Sequence, residues 1–349
     1  MPGVGVVPIP PMESEEPQES WLAEVVARND LDELVRVIDA ACERRDWDAL
    51  VELCARCESA QDRGFQLWPV AHHASYRLAL EAPAEWAALE VVDGAARFAP
   101  GPLPEVAAQH HAWDELEPSV IRGPAAALML HECVLQGEDL TGAEMPGPDP
   151  LELPLVLQDW EPDYPVAVYR AAGGDFPSPD PGPLEVRPGA APAVPCRDPE
   201  AVSALLHLVH AWTDGSTGEA VAVAVEGDAA GAIACIEPGE IRIGSISGAE
   251  AMAWMGWAAA SGGAHGRRRG AATGRLDAWH ALAALAGLDE WPVDPDALGE
   301  ALEHLRWYRW EPPGGADGWA LHLAVEDPAS GEAWAIAAHD PPGPDPSAG

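Results

Sequence analysis

The chain contains no lysine among its 349 residues, and this absence excludes several classes of enzyme. A P-loop needs a lysine on the phosphates of its nucleotide, and a protein kinase needs one on a strand. PLP enzymes and Schiff-base aldolases react through a lysine amine, and class A β-lactamases carry a lysine in their active site. None of these mechanisms is therefore open to this chain.

Other residues with AT-rich codons are scarce as well. There are one Asn, three Phe and four Tyr, against 36 Pro, 34 Gly and 15 Trp. Codon bias in a GC-rich genome accounts for this whole pattern. The alternative is that lysine has been lost to avoid lysine-directed modification, but this would not explain why the other residues are scarce.

The chain is strongly acidic, with 58 Asp and Glu, 19 basic residues and a formal net charge of −39. Such a charge repels nucleic acid and anionic membranes, so we expect neither as a partner. It favours either solubility alone or association with a basic protein partner. The sequence begins without a signal-peptide pattern and has no apolar run of ~18 residues. We therefore expect a cytoplasmic protein.

The six cysteines and twelve histidines give no clear metal or catalytic motif. Cys54 and Cys57 form a close pair, but Cys54 lies on the apolar stripe of a predicted helix, where core cysteines occur. His207 and His210 lie three residues apart on another predicted helix. We interpret them, like the other histidines, as ordinary helix residues. We accordingly predict no catalytic residue, no metal site and no cofactor.

Composition divides the chain into five segments. Proline-rich or acidic tails are expected to be disordered, and a second proline-rich segment separates two folded domains. The predicted segments are a disordered tail over 1–18, a helical domain over 19–141, a linker with a short hairpin over 142–197, an α+β domain over 198–340, and a disordered tail over 341–349. Within the linker, two short strands are predicted at 153–157 and 166–170.

Capping residues and apolar periodicity predict the helices of the first domain. Asp30 and Asp46 each precede an apolar stripe at helical spacing, and Pro or Gly ends each run. Shorter helices are predicted near 84–96, 103–116 and 124–136. Short helices with short connections indicate an α-solenoid or an irregular bundle.

The second domain mixes both periodicities. Asp198-Pro199 and Asp294-Pro295 have the sequence of helix starts. Alternating apolar residues predict strands at 221–225, 233–236, 241–246, 319–325 and 333–338. Helices are predicted at 248–261, 269–287 and 295–309. This order indicates an α+β fold with a mainly antiparallel sheet covered on one face.

One glycine-rich stretch, 261–275, breaks the acidic pattern, because no acidic residue lies between Glu250 and Asp277. Glycines that lead into a helix N-terminus expose backbone N–H groups, and arginine adds bidentate hydrogen bonding to phosphate or carboxylate. We predict an anion- or partner-binding site here, formed by His265, Arg267, Arg268, Arg269 and Arg275. The alternative is structural: the arginines pair with nearby acids, and the glycines at 262, 266, 270 and 274 form a packing stripe on a helix.

Two phrases, LWPVAHHASYRLALEAP and SGGAHGRRRGAATGRLDAWHALAALAGL, resemble an uncharacterised family of actinobacterial hypothetical proteins with no known function. The resemblance implies nothing about activity. Our leading hypothesis is a soluble, non-catalytic interaction or scaffold protein with an unknown protein partner. The alternatives are an enzyme or sensor that binds a phosphate- or carboxylate-bearing small molecule at the arginines, and an immunity-type inhibitor of a basic toxin.

Overall fold

The computed structural model describes residues 21–61, 64–315 and 318–342. Most of the two tails predicted to be disordered lies outside these residues. Contacts divide the chain into two compact units, Met1–Ala74 and Ser75–Gly349. This division differs from the predicted one, which has a helical domain over 19–141 and an α+β domain over 198–340. The predicted domains stay a prediction. None of the described helices is both long and apolar enough to cross a membrane.

The first unit consists of helices that begin where their caps predict. Asp30 accepts a hydrogen bond from the backbone N–H of Glu33 at 3.0 Å, and Asp46 accepts one from Ala49 at 3.3 Å. Its helices are α1 (Trp21–Arg28), α2 (Leu31–Arg44), α3 (Trp47–Gln61) and the first half of α4 (Trp68–Glu81). Cys54 and Cys57 are buried in this unit. Burial, followed by the nearby Glu58, raises the pKa of Cys57 to about 11.

The second unit starts with short helices, as the sequence predicts. They are α5 (Ala84–Glu90), α6 (Leu103–Ala108), α7 (Trp113–Leu116) and α8 (Pro124–Leu135), with one 3-10 turn at Glu117–Ser119. Helix α6 packs along α8, and Val106, Met129 and Leu130 are fully buried between the helices of this group. Each helix is shorter than predicted, and the helix predicted near 103–116 is divided into α6 and α7.

The proline-rich segment forms four short strands, only one of which was predicted. They are β1 (Val168–Arg170), β2 (Gly173–Asp175), β3 (Glu185–Arg187) and β4 (Val194–Pro195). Strands β1 and β2 make a separate hairpin. The strand predicted at 153–157 is wrong, because the carbonyls of Pro154 and Val156 accept hydrogen bonds from the Arg275 side chain at 2.9 and 3.0 Å. These carbonyls are thus satisfied without a strand partner.

Strands β3 and β4 form the edges of a seven-stranded antiparallel sheet with the order β3-β6-β7-β8-β9-β5-β4. Its other strands are β5 (Glu219–Glu226), β6 (Ile241–Ile246), β7 (Arg306–Glu311), β8 (Trp319–Asp327) and β9 (Glu332–Asp340). The remaining helices are α9 (Pro199–His207), α10 (His210–Gly215), α11 (Ala229–Ile236), α12 (Gly248–Ala260), α13 (Ala271–Leu285) and α14 (Pro295–His304). The predicted α+β class and antiparallel sheet are confirmed.

Helices cover both faces of the sheet, which corrects the one-face prediction. Leu321, Leu323 and Val325 alternate along β8 and pack with α9, α12 and α13. Ala324 points to the opposite face and packs there with α11. Helix α11 is therefore a second layer on the sheet.

Two elements differ in type from the prediction. The strand predicted at 233–236 belongs to α11, where Asp228 caps the first turn through a 2.8 Å bond from Gly231 and an alanine-rich sequence favours the helix. The helix predicted to reach 309 ends at His304, and β7 follows it. Trp307 and Trp310 lie on opposite faces of β7, each in a different buried cluster.

Candidate functional site

Residues 262–270, which we call the arginine loop, join α12 to α13. Buried polar groups at both ends fix the loop. The Oδ2 atom of Asp340, at the end of β9, accepts a hydrogen bond from the N–H of Ala264 at 2.6 Å. The Ser261 hydroxyl accepts one from Gly263 at 3.1 Å, and the N–H of Arg269 donates to the Ala260 carbonyl at 2.8 Å. The loop is thus an ordered part of the fold.

Arg268 forms a bidentate ion pair with Glu105 of α6. Its Nε lies 2.8 Å from Oε2 and its Nη2 lies 2.6 Å from Oε1, and both side chains are at least nine-tenths buried. The Tyr169 hydroxyl also donates to Glu105, at 2.6 Å. Burial lowers the pKa of Arg268 and the Glu105 carboxylate raises it, with a net rise. Arg268 therefore stays charged and serves to bind Glu105.

Glu132 of α8 is the second buried carboxyl group at this place. Its Oε1 accepts a hydrogen bond from the N–H of Ala272 at 3.0 Å, while its Oε2 is buried without a hydrogen-bond partner among the described residues. Burial and the neighbouring charge of Glu105 raise the pKa of Glu132 well above its usual value. A second buried negative charge beside Glu105 would be costly, and this favours the neutral form of Glu132.

Gly270 lies against Glu132 with a φ of +101°. A Cβ atom at this position would lie 2.6 Å from Oε1 of Glu132. The backbone conformation and the lack of space both require glycine here. The predicted four-residue stripe of glycines on one helix is wrong, since the structure places residues 262–270 in a loop and only Gly274 within α13.

The other two arginines with acidic partners are Arg269 and Arg275. Arg269 pairs with Asp277 of α13. Arg275 is fully buried and pairs with Glu161 through two contacts of 2.8 and 2.6 Å. These contacts, together with the Arg268 pair, match the structural alternative considered for the arginines.

Arg267 differs from its neighbours in the loop. It is exposed, and no carboxylate of the described residues lies within ion-pair distance of it. Its guanidinium lies 5.9 Å from the centre of the Phe98 ring. Partial burial and the nearby charge of Arg97 lower the pKa of Arg267, although an arginine remains cationic at neutral pH. His265 is also exposed, and its backbone N–H donates a hydrogen bond to the Ser216 hydroxyl at 3.0 Å.

A cavity of about 490 Å³ opens beside Arg267. Its walls are mostly apolar and include Phe98, Pro100, Pro102 and Leu128. Asp93 also lines the cavity, but one of its oxygens accepts a hydrogen bond from the N–H of Ala125 at 2.9 Å, in the first turn of α8. The cavity therefore combines an apolar body with a cationic group at its wall.

Two histidines and one aspartate also come together, the aspartate being Asp277, the ion-pair partner of Arg269. His207, His210 and Asp277 each have a potential metal-ligating atom within 4.8 Å of those of the other two. No metal ligand is predicted among these residues from the sequence. Asp277 is distant from the two histidines along the chain, so only the fold brings them together.

The arginines stand out in the sequence, but their acidic partners do not. Glu105, Glu132 and Glu161 lie in segments that were assigned to a helical domain or a linker. Nothing in their local sequence distinguishes them from the many other acidic residues. Asp340 was missed for the same reason.

A family model described as a family of unknown function (DUF6183) matches residues 32–342. No curated protein and no solved structure matches the chain. The match agrees with the predicted resemblance to a family without known function. An actinobacterial origin stays a prediction.

Proposed function

We propose that this chain, which belongs to the family of unknown function described above, binds a small organic anion in the cavity beside Arg267. The observation that supports the proposal is the pairing pattern of the arginine loop. Its other arginines have acidic partners, whereas Arg267 has none among the described residues and faces an apolar cavity. The anion site predicted from the sequence is thereby reduced to Arg267, with His265 close to it in sequence.

The cavity suits a ligand with an apolar body and one anionic group. Its volume of about 490 Å³ lies within the roughly 300–1,000 Å³ typical of small-molecule sites. Phe98, Pro100 and Leu128 offer apolar contact, and the Arg267 guanidinium can form two parallel hydrogen bonds with a carboxylate. Arg97 adds a second positive charge nearby.

The charge of the whole chain favours a small ligand over a polymer. A net charge of −39 repels an extended polyanion, whereas a single carboxylate can contact the Arg267 guanidinium locally. A role as a sensor or as an enzyme that acts on the bound anion is compatible with such a site. The interaction, scaffold and toxin-inhibitor roles predicted from the sequence stay predictions, since no described residue favours one of them.

Thermal unfolding in the presence of benzoate and of inorganic phosphate, at constant ionic strength, tests the proposal. Benzoate should raise the melting temperature more than phosphate does, because it also fills apolar space and a bound ligand stabilises the folded state. Without ligand, the Arg267→Ala variant should melt at the same temperature as the parent. Benzoate should no longer raise the melting temperature of this variant. A charge-assisted hydrogen bond contributes about 1.5–3 kcal/mol, which corresponds to at least about tenfold weaker binding.

The matched control is Arg122→Ala, which removes an arginine that is 62% exposed and lies on the surface beside Glu144. This variant has the same change in net charge and should respond to benzoate as the parent does. An equal response of all three proteins, or a parent indifferent to benzoate, would refute the proposed site.

A further inference from the structure

A groove of about 730 Å³ is lined in part by Arg269. The side chains that line it include Glu200 and His207 of α9 and Asp277 and His280 of α13. Arg267 and Arg268 line the cavity, whereas Arg269 lines the groove. The groove is therefore lined by histidine and acidic side chains, in contrast to the mostly apolar cavity.

We propose that His207, His210 and Asp277 form a binding site for a divalent transition-metal ion of the zinc type. One potential ligating atom of each residue lies within 4.8 Å of those of the other two. The Nε2 atom of His207 is 3.7 Å from Oδ1 of Asp277. Zinc bonds of about 2.0–2.2 Å in tetrahedral geometry place neighbouring ligand atoms about 3.4 Å apart. The imidazole rings of His207 and His210 are stacked with their centroids 4.3 Å apart, so both side chains would have to rotate out of this stack to reach that geometry.

The hydrogen bonds around the cluster orient its atoms for metal binding. Nδ1 of His210 lies 2.8 Å from the carbonyl oxygen of His207. A carbonyl oxygen only accepts, so Nδ1 carries the proton and the lone pair of Nε2 is left for a metal. Arg269 pairs with Oδ2 of Asp277 and leaves Oδ1 for the ion. Both features are typical of the groups that hold metal ligands in position.

The chemical type of the ligands selects the metal. Two imidazoles and one carboxylate suit borderline ions such as zinc, whereas calcium and magnesium prefer oxygen ligands throughout. Three protein ligands leave a fourth position open, as in catalytic rather than structural zinc sites. Two of the three residues, His207 and Asp277, line the groove together with Glu200 and Ser203. A water molecule or an oxygen-bearing ligand can occupy the fourth position.

Zinc and cobalt titrations of the full chain, prepared without a histidine tag, test this proposal near neutral pH. We expect one equivalent of zinc to bind in calorimetry, and cobalt to give visible absorption bands typical of a low-coordinate site with nitrogen and oxygen ligands. His207→Gln and His210→Gln should each weaken zinc binding by about tenfold or more. His207 is 56% exposed and His210 is half-buried on the surface, so both variants should remain folded by circular dichroism.

The matched control is His304→Gln. His304 is 59% exposed and lies 3.4 Å from Asp327, and it thus reproduces the histidine–aspartate pair without a second histidine. This variant should bind zinc as the parent does. Zinc binding that is unchanged in His207→Gln and His210→Gln, or no binding by the parent at millimolar zinc, would overturn the proposal. Loss of binding in His304→Gln would also overturn it, because it would place the metal elsewhere.

Discussion

Arg268 and Glu105 lie 163 residues apart in sequence and form a bidentate ion pair with distances of 2.8 and 2.6 Å. The pair connects the arginine loop to α6 within the second unit. Arg275 and Glu161 make a similar buried contact between α13 and the proline-rich segment. Two buried ion pairs thus connect α6 with the arginine loop and the proline-rich segment with α13.

Removing one partner of the buried pair should be strongly destabilising. We expect Arg268→Ala to lower the free energy of unfolding by about 3–5 kcal/mol, since it leaves the Glu105 charge buried without its partner. Arg267→Ala, at the adjacent position, should change it by less than about 0.5 kcal/mol because that side chain is exposed. Urea unfolding followed by tryptophan fluorescence measures both. Equal stability of the two variants would contradict the assignment of a structural role to Arg268.

Glu132 should make the stability of the protein depend on pH in a specific direction. Because its folded-state pKa is raised above the usual 4.5, its contribution is fully present below that value and is lost as pH rises through the folded-state pKa. Glu132→Gln keeps a neutral group and an acceptor for Ala272. The stability of the parent relative to this variant should therefore fall as pH rises.

Urea unfolding of parent and variant across a pH series measures this difference. Glu144→Gln is the control, since Glu144 is 78% exposed and its removal should not change the pH profile. A parent–variant difference that stays constant with pH, or rises with it, would show that Glu132 is ionised in the folded protein.

Limited proteolysis distinguishes the contact-based division of the chain from the predicted one. A protease of broad specificity should cut first within 177–192, where most residues are exposed. The two fragments should nevertheless elute together in size-exclusion chromatography, because the Arg268–Glu105 and Arg275–Glu161 pairs join them. Fragments that separate without denaturant would instead support independent helical and α+β domains.

Local signals in the sequence predicted much of the fold. Asp30, Asp46, Asp198 and Asp294 all cap helices that begin where these residues indicate. Such caps act within one turn, so a single sequence contains the whole signal. The closing hairpin of β8 and β9 was predicted from the alternation of apolar residues, which is also a local pattern.

Two of the elements that were wrong are those where two periodicities compete. Trp307 and Trp310 are three residues apart, which fits a helix, but in β7 they fill two separate clusters on opposite faces of the sheet. Ile233 was assigned to a strand, although the Asp228 cap and the alanines around it favour α11. Only tertiary contacts decide between the two patterns.

The candidate site could be predicted only in part. The arginine loop stood out because it lacks acidic residues, and it does lie beside a cavity. Which arginine faces that cavity depends on Glu105, Asp277 and Glu161, whose positions in space follow from the whole fold. The sequence therefore indicated the loop but not the particular role of Arg267.

The most direct test of the anion site is a crystal structure with 4-bromobenzoate, whose bromine can be located by anomalous scattering. We predict a bromine peak within the cavity, near Phe98 and Leu128, with the carboxylate hydrogen-bonded to the Arg267 guanidinium. Crystals of Arg267→Ala treated in the same way should show no such peak. A bromine peak outside the cavity, one that persists in Arg267→Ala, or no peak at saturating ligand would contradict the account.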